Sequence, residues 1–191
     1  MFPSGMFGHH DSMYRKRDFM IGLKINDIKN FMTKLLLKKE FDSFLLEQAE
    51  LVTASKMTLS GRRNQKWYDT ETWKLMEQEA LEDVCWMSWK EIRTVVFSYI
   101  KGNQTPEIMR ISFRASHKMA EELLADSGVL KLYHQYHPDL FLQLRYEQGV
   151  LTLITGIAFS EFLLDKTIEK AWDDAVMCFF KSIQIPFEMM E

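Results

Sequence analysis

Residues 88–106 read S-W-K-E-I-R-T-V-V-F-S-Y-I-K-G-N-Q-T-P, a stretch punctuated so fully that it leaves room for little but a helix. Ser88 and Glu91 have the three-residue spacing of a capping box, in which each side chain satisfies a backbone donor at the helix start. Ile92, Val95, Val96, Tyr99 and Ile100 recur at helical spacing and predict one apolar face. Gly102 is expected to take the left-handed conformation that closes a helix, and Pro106 bars its resumption. A helix with one apolar face must bury it against other elements, so the rest of the chain has to supply them.

Such elements are legible on both sides. Ile21, Leu23 and Ile25 alternate as a short strand. Asn26 or Asp27 then caps a helix with Ile28, Phe31, Met32, Leu35 and Leu36 on one stripe. Residues 44–53 and 57–63 read as a hairpin, with Leu45, Glu47, Ala49, Leu51 and Thr53 sharing a face. The acidic stretch 69–83 is weakly helical around Trp73, Met76 and Ala80.

Beyond residue 106, Met109, Ile111, Phe113 and Ala115 form the inner face of a strand whose outer face carries Arg110 and Arg114. Ser116 caps a short helix to about residue 125, and 129–139 reads as a loop. Leu140, Leu142, Leu144 and Tyr146 alternate in a strand that turns at Gln148-Gly149 and returns from Val150 to about Leu164. Asp165 caps a last helix with Ile168, Ala171, Trp172, Ala175, Phe179 and Ile183 on one side, ended by Pro186. Grouped strands with intervening helices predict an α+β fold. Its sheet is mainly antiparallel, built from two hairpins plus additional strands and packed against several amphipathic helices. Trp89 and Trp172 each begin a helix with a Phe eight residues on, a hint of internal duplication.

Length and composition set the outer limits. A chain of 191 residues can bury one substantial core, and 47% apolar with 27% charged residues excludes global disorder. A net charge of -3 gives no overall pull toward nucleic acid or anionic lipid. Cys85 and Cys178 form no ligand or redox motif and are expected as buried thiols in a reducing cytoplasm. No apolar run reaches the 18 or so residues that would cross a bilayer. Residues 1–19, with Pro3, Gly5, Gly8 and the Arg15-Lys16-Arg17 cluster, show no period. They are expected to be a disordered extension outside a single domain of 20–188, with Met20 an alternative start.

Four stretches carry a resemblance: M20-I-G-L-K-I-N-D-I-K-N-F-M-T-K-L-L, F41-D-S-F-L-L-E-Q-A, W89-K-E-I-R-T-V-V-F-S-Y-I-K-G-N-Q-T-P, and L164-D-K-T-I-E-K-A-W-D-D with I185-P-F-E. In this order the chain resembles an uncharacterised family of small proteins from low-GC Gram-positive bacteria, a domain of unknown function. The resemblance runs from 20 to 188. It implies no activity, cofactor or catalytic residue, and it places 1–19 outside the domain.

Two groups of residues invite functional readings. Lys56, Arg62, Arg63, Lys66 and Trp67, with Tyr68 and the outward Arg110 and Arg114, combine phosphate-pairing cations with rings that can stack on bases. The alternative is a solvated loop with Trp67 packed back on the core, which the acidic net charge favours. His134, His137 and Asp139, joined by His117 or Glu121, could ligate a transition metal, although H-x-x-H alone underspecifies one. Glu77, Glu79, Glu82 and Asp83 read as a solvated face, and Asp173-Asp174 point too far apart to act as a carboxylate pair. No nucleophile elbow, Walker loop or dinucleotide fingerprint occurs. Trp67, Trp73, Trp86 and Trp89 gather in one region, and one or two of them are expected at the surface as an interface.

The sequence therefore favours a cytoplasmic, non-enzymatic interaction or structural module with no cofactor and no membrane segment. The partner itself is left open by the sequence, with a protein or a second copy of the chain as the candidates ahead of nucleic acid. A nucleic-acid-associated protein stands second and a metal-dependent enzyme third.

Overall fold

The computed structural model describes residues 18–102, 104–160, 163 and 165–190. Most of the expected extension, residues 1–17, lies outside them, but its last two residues do not, because the first strand begins at Asp18. The elements are β1 (Asp18–Ile25), α1 (Ile28–Leu37), β2 (Phe44–Val52), β3 (Lys56–Ser60), α2 (Thr70–Ala80), α3 (Trp89–Ile100), β4 (Ile108–Ala115), α4 (His117–Leu124), α5 (Leu130–Tyr136), β5 (Asp139–Glu147), β6 (Val150–Ala158), α6 (Thr167–Ser182) and β7 (Phe187–Met189). The strands form one sheet in the order β3-β2-β4-β5-β6-β1-β7, and every neighbouring pair is antiparallel. This is the expected α+β fold.

The punctuation of α3 is largely as read. Glu91 accepts from the Ser88 N–H at 2.8 Å and closes the capping box. The buried stripe is Trp89, Ile92 and Val96, whereas Val95, expected on it, is 50% exposed. The helix does not close through a left-handed Gly102; Lys101 simply leaves it in extended conformation. Asp27 caps α1 through the Asn30 N–H at 3.0 Å, and Ser116 caps α4 through the Met119 N–H at 3.2 Å.

Alternation along the strands sorts the two faces of the sheet. Met109, Ile111 and Phe113 of β4, with Leu142 and Leu144 of β5, face a cluster that includes Phe31 and Leu35 of α1, Trp89 of α3 and Trp172 and Phe180 of α6. Trp89 and Trp172 are fully buried, and each donates its indole N–H to a backbone carbonyl, Leu35 O at 2.7 Å and Phe141 O at 3.0 Å. On the opposite face Glu50, Arg110 and Arg145 stand in register across β2, β4 and β5.

Several expectations need correction. In β2 the register shifts between Leu46 and Gln48, so one extra residue interrupts strict alternation. Leu46, Ala49 and Leu51 therefore all join the core, and Leu45 faces away from it. Gly61 passes so close to this bulge that a Cβ there would lie 1.7 Å from the Leu46 carbonyl oxygen. The expected loop at 129–139 contains α5, which buries Tyr133 just after the buried Val129 at its start.

Strand β6 ends at Ala158, and Leu164, its expected limit, lies outside the described residues. On α6 the buried stripe runs through Val176 and Phe180, with Phe179 and Ile183 half-buried. After Pro186 the chain adds β7 against β1. Cys85 and Cys178 are exposed rather than buried, and neither is in a disulfide. Among the described residues, no helix is long and apolar enough to cross a membrane.

Candidate functional site

Beyond β3 the chain is held by polar brackets rather than by an apolar stripe. Gly61 donates to Glu47 O at 3.0 Å, and the Arg63 N–H donates to Cys85 O at 2.8 Å. The Arg63 guanidinium, only 11% exposed, donates to Trp86 O at 3.2 Å, Tyr68 Oη at 3.3 Å and Glu91 Oε2 at 2.7 Å. Burial pushes the Glu91 carboxyl up, but the Ser88 N–H, Arg63 and the Ser88 hydroxyl together hold it below the usual range. Asn64 then accepts the Lys66 N–H at 3.2 Å and caps a single 3-10 turn, residues Gln65–Trp67. Tyr68 packs on Trp73 with ring centroids 5.8 Å apart. Trp67, at the end of this braced turn, is 84% exposed. It does not pack back on the core.

The basic residues of the sequence do not gather around it. Arg62 and Lys66 are exposed, and Lys66 shares the turn with Trp67, but Arg63 is consumed by the brace. Lys56 begins the other end of β3 and pairs with Glu50 at 2.6 Å. Glu50 also takes Arg110 at 2.6 Å, and its carboxyl is lowered first by the Lys56 hydrogen bond, against a smaller desolvation effect. Arg110 reaches Glu147 at 3.8 Å, and Arg145 donates to the same carboxylate through Nε at 2.9 Å. Arg114 pairs with Asp139 and lies over the Trp86 ring at 4.6 Å. The open face of the sheet is thus a ladder of compensated charges.

A second feature lies where α2, α4 and α5 meet. Asp69 caps α2 through the Thr72 N–H at 2.8 Å, which with the Thr72 hydroxyl lowers its carboxyl. The buried Trp73 donates its indole N–H to Glu77 at 2.5 Å. Asp83, in a 3-10 turn after α2, accepts the backbone N–H of His117 at 2.9 Å and also lies 2.9 Å from its Nδ1. Helix α5 brings His134 within 3.6 Å of Glu121 on α4. His137 ends α5 in left-handed conformation with φ 41°.

The result is a cleft of about 550 Å3 lined by Glu77, Val84, His117, Glu121, Tyr133, His134 and His137. All three histidines of the described residues share it. Asp139, grouped with them in the sequence, is engaged by Arg114 instead. Among the described residues, no three His, Cys, Asp or Glu side chains converge as a metal ion would require.

A family model matches residues 34–188, most of the chain. The chain belongs to a family of unknown function (DUF5721). No curated protein and no solved structure matches it. The family thus supplies no site residue, and the two features above rest on geometry alone. Glu77 is exposed, as a solvated face requires, yet it also lines the cleft, whereas Asp83 is half-buried against His117. The Trp73-x-x-x-Glu77 spacing, one turn of helix, was a signal for Glu77, but nothing local marks Asp83.

Proposed function

We propose that this chain is a non-enzymatic protein-interaction module that docks a partner polypeptide through Trp67. One observation carries the reading: a tryptophan 84% exposed on a turn braced from three sides by Arg63. Tryptophan is the side chain most enriched among residues that dominate interfaces, and a pre-ordered turn costs little entropy on binding. The ion-pair ladder weighs against nucleic acid, the second reading. Lys56, Arg110, Arg114 and Arg145 are each matched to a carboxylate, which leaves Arg62 and Lys66 of that basic group exposed. Phosphate binding of useful strength needs several uncompensated cations. The same reading places the chain in the cytoplasm of a low-GC Gram-positive bacterium, supported by the family resemblance and by two thiols outside any disulfide.

The test compares proteins retained by the wild-type chain and by Trp67→Ala, with quantification of each retained species and a parallel assay on a single-stranded oligonucleotide. A defined polypeptide that is lost with Trp67→Ala, and that remains with Arg62→Ala/Lys66→Ala, supports the reading. Retention of the oligonucleotide that depends on Trp67, Arg62 and Lys66 together would replace it with the nucleic-acid one. A concentration series by sedimentation identifies the case in which the partner is a second copy.

A further inference from the structure

The cleft between α2, α4 and α5 has a chemistry distinct from that of the Trp67 turn. Its lining supplies two carboxylates, Glu77 and Glu121, and three imidazoles, with Asp83 behind His117. Its apolar wall is Val84 and Tyr133, and among the described residues no lysine or arginine lines it. Neutral imidazoles accept hydrogen bonds, so every polar group in the lining can face a cation. At about 550 Å3 the space is far larger than one ion, and no three ligand-type groups among the described residues converge on a point. Both facts favour an extended cationic group over a bare metal.

The surroundings carry the same sign. Residues 69–83, 117–126 and 130–136 hold nine of the chain's 27 carboxylates but only three of its 24 lysines and arginines. These are the helices that frame the cleft. A chain with a net charge of only -3 therefore concentrates its acidity at this end. Such a field attracts basic partners and speeds their encounter.

We propose that this cleft receives a lysine or arginine side chain from a basic segment of a partner polypeptide. The aliphatic stem lies along Val84 and Tyr133, as long cationic side chains do on apolar surface. The head group then pairs with Glu77 and Glu121. Trp67 plays no part in this site.

The test uses the full chain and a fluorescein-labelled nine-residue peptide of alternating arginine and serine, read by anisotropy at low salt. Glu77→Gln/Glu121→Gln is expected to weaken binding about five- to tenfold, the scale of losing two solvent-exposed charge pairs. Glu71→Gln/Glu79→Gln removes the same charge from exposed positions outside the cleft, and should change affinity less than about twofold. Trp67→Ala should leave it unchanged, which separates this site from the docking turn. Equal weakening by both double variants would show diffuse acidity and overturn the proposal, as would no binding of the peptide to wild type. The amide oxygen introduced by Glu77→Gln can still accept the Trp73 N–H, so the fold should persist. As a readout independent of any variant, the imidazole resonances of His117, His134 and His137 should shift when the peptide is added to wild type. Unmoved resonances at saturation would also overturn it.

Discussion

Trp89 and Trp67 lie on the same stretch of chain and meet opposite fates. Trp89 is fully enclosed, hydrogen-bonded to Leu35 O and edge-on to Phe113 with centroids 5.0 Å apart. Trp67 is 84% exposed on a turn held by hydrogen bonds and by the packing of Tyr68 on Trp73. One ring is fixed by burial and serves the fold. The other is fixed by its neighbours' hydrogen bonds and is left over for something else. The contrast extends to the regions around them, since α1, α3 and α6 hold the core face of the sheet with apolar stripes. The flank from Gly61 to Asp83 depends instead on Arg63, Asn64, Asp69 and Asp83.

The comparison breaks most readily at the tryptophans themselves. Trp89→Ala should cost about 3–5 kcal/mol, because it opens a cavity and strands a buried carbonyl. Trp67→Ala should stay within about 0.5 kcal/mol of wild type. Urea unfolding monitored by circular dichroism measures both. A loss at Trp67 that approached the loss at Trp89 would mean that the ring packs in solution, and the docking reading would fall with it.

The core side was legible in the sequence because burial imposes a period. Phe31 and Leu35, or Ile168, Ala171, Trp172 and Ala175, follow from spacing alone, since a stripe has to face inward. Where the reading failed, a non-periodic cause intervened. The bulge at Glu47 re-aimed Leu45 and Leu46, and no feature of F-L-L-E-Q-A marks one phase as broken. Helix α5 has only seven residues, too few to establish a stripe, and β7 only three.

The candidate sites were less legible still. His117 meets Asp83 across 34 positions, and Arg63 meets Glu91 across 28. Contacts of that kind leave no local spacing. His134 and Glu121 share a cleft without converging as metal ligands among the described residues, whereas Lys56 and Asp139 are drawn to other partners, Glu50 and Arg114.

The brace offers the next test. Arg63→Ala removes three donors at once and leaves Glu91 without its cation, so a loss of about 1–3 kcal/mol is expected by urea unfolding. Arg63→Lys should not restore it, because one ammonium cannot address Trp86 O, Tyr68 Oη and Glu91 in their fixed array. Proteolysis at the 64–69 turn should accelerate in both variants while the α1 and α6 amides keep their protection. If lysine rescues fully, the charge pair with Glu91 is what matters and the turn is not braced by geometry.

The smallest effect is a matter of sign between two carboxylates, one on each side of the comparison. Glu91 is held below the usual range, so its stabilisation is present above about pH 4.3, the ordinary glutamate value, and is lost as pH falls through the depressed one. Glu91→Gln should therefore melt lower than wild type at pH 7, with the gap closing in acid.

Asp173 on α6 is the reverse case. Burial pushes its carboxyl up, the Thr155 hydroxyl donating at 2.6 Å pulls it partly back, and Asp174 and Glu169 add repulsion. Its favourable contribution belongs to the protonated form, is complete below about pH 3.9, and is lost as pH rises through the raised value. Asp173→Asn keeps an acceptor for Thr155 without the charge. It should melt slightly higher than wild type at pH 7, and the advantage should vanish as the pH approaches 4. Thermal melts across that range decide it. A variant less stable than wild type at pH 7 would mean that the ionised bond to Thr155, which ties α6 to β6 in the core, outweighs the burial of its charge.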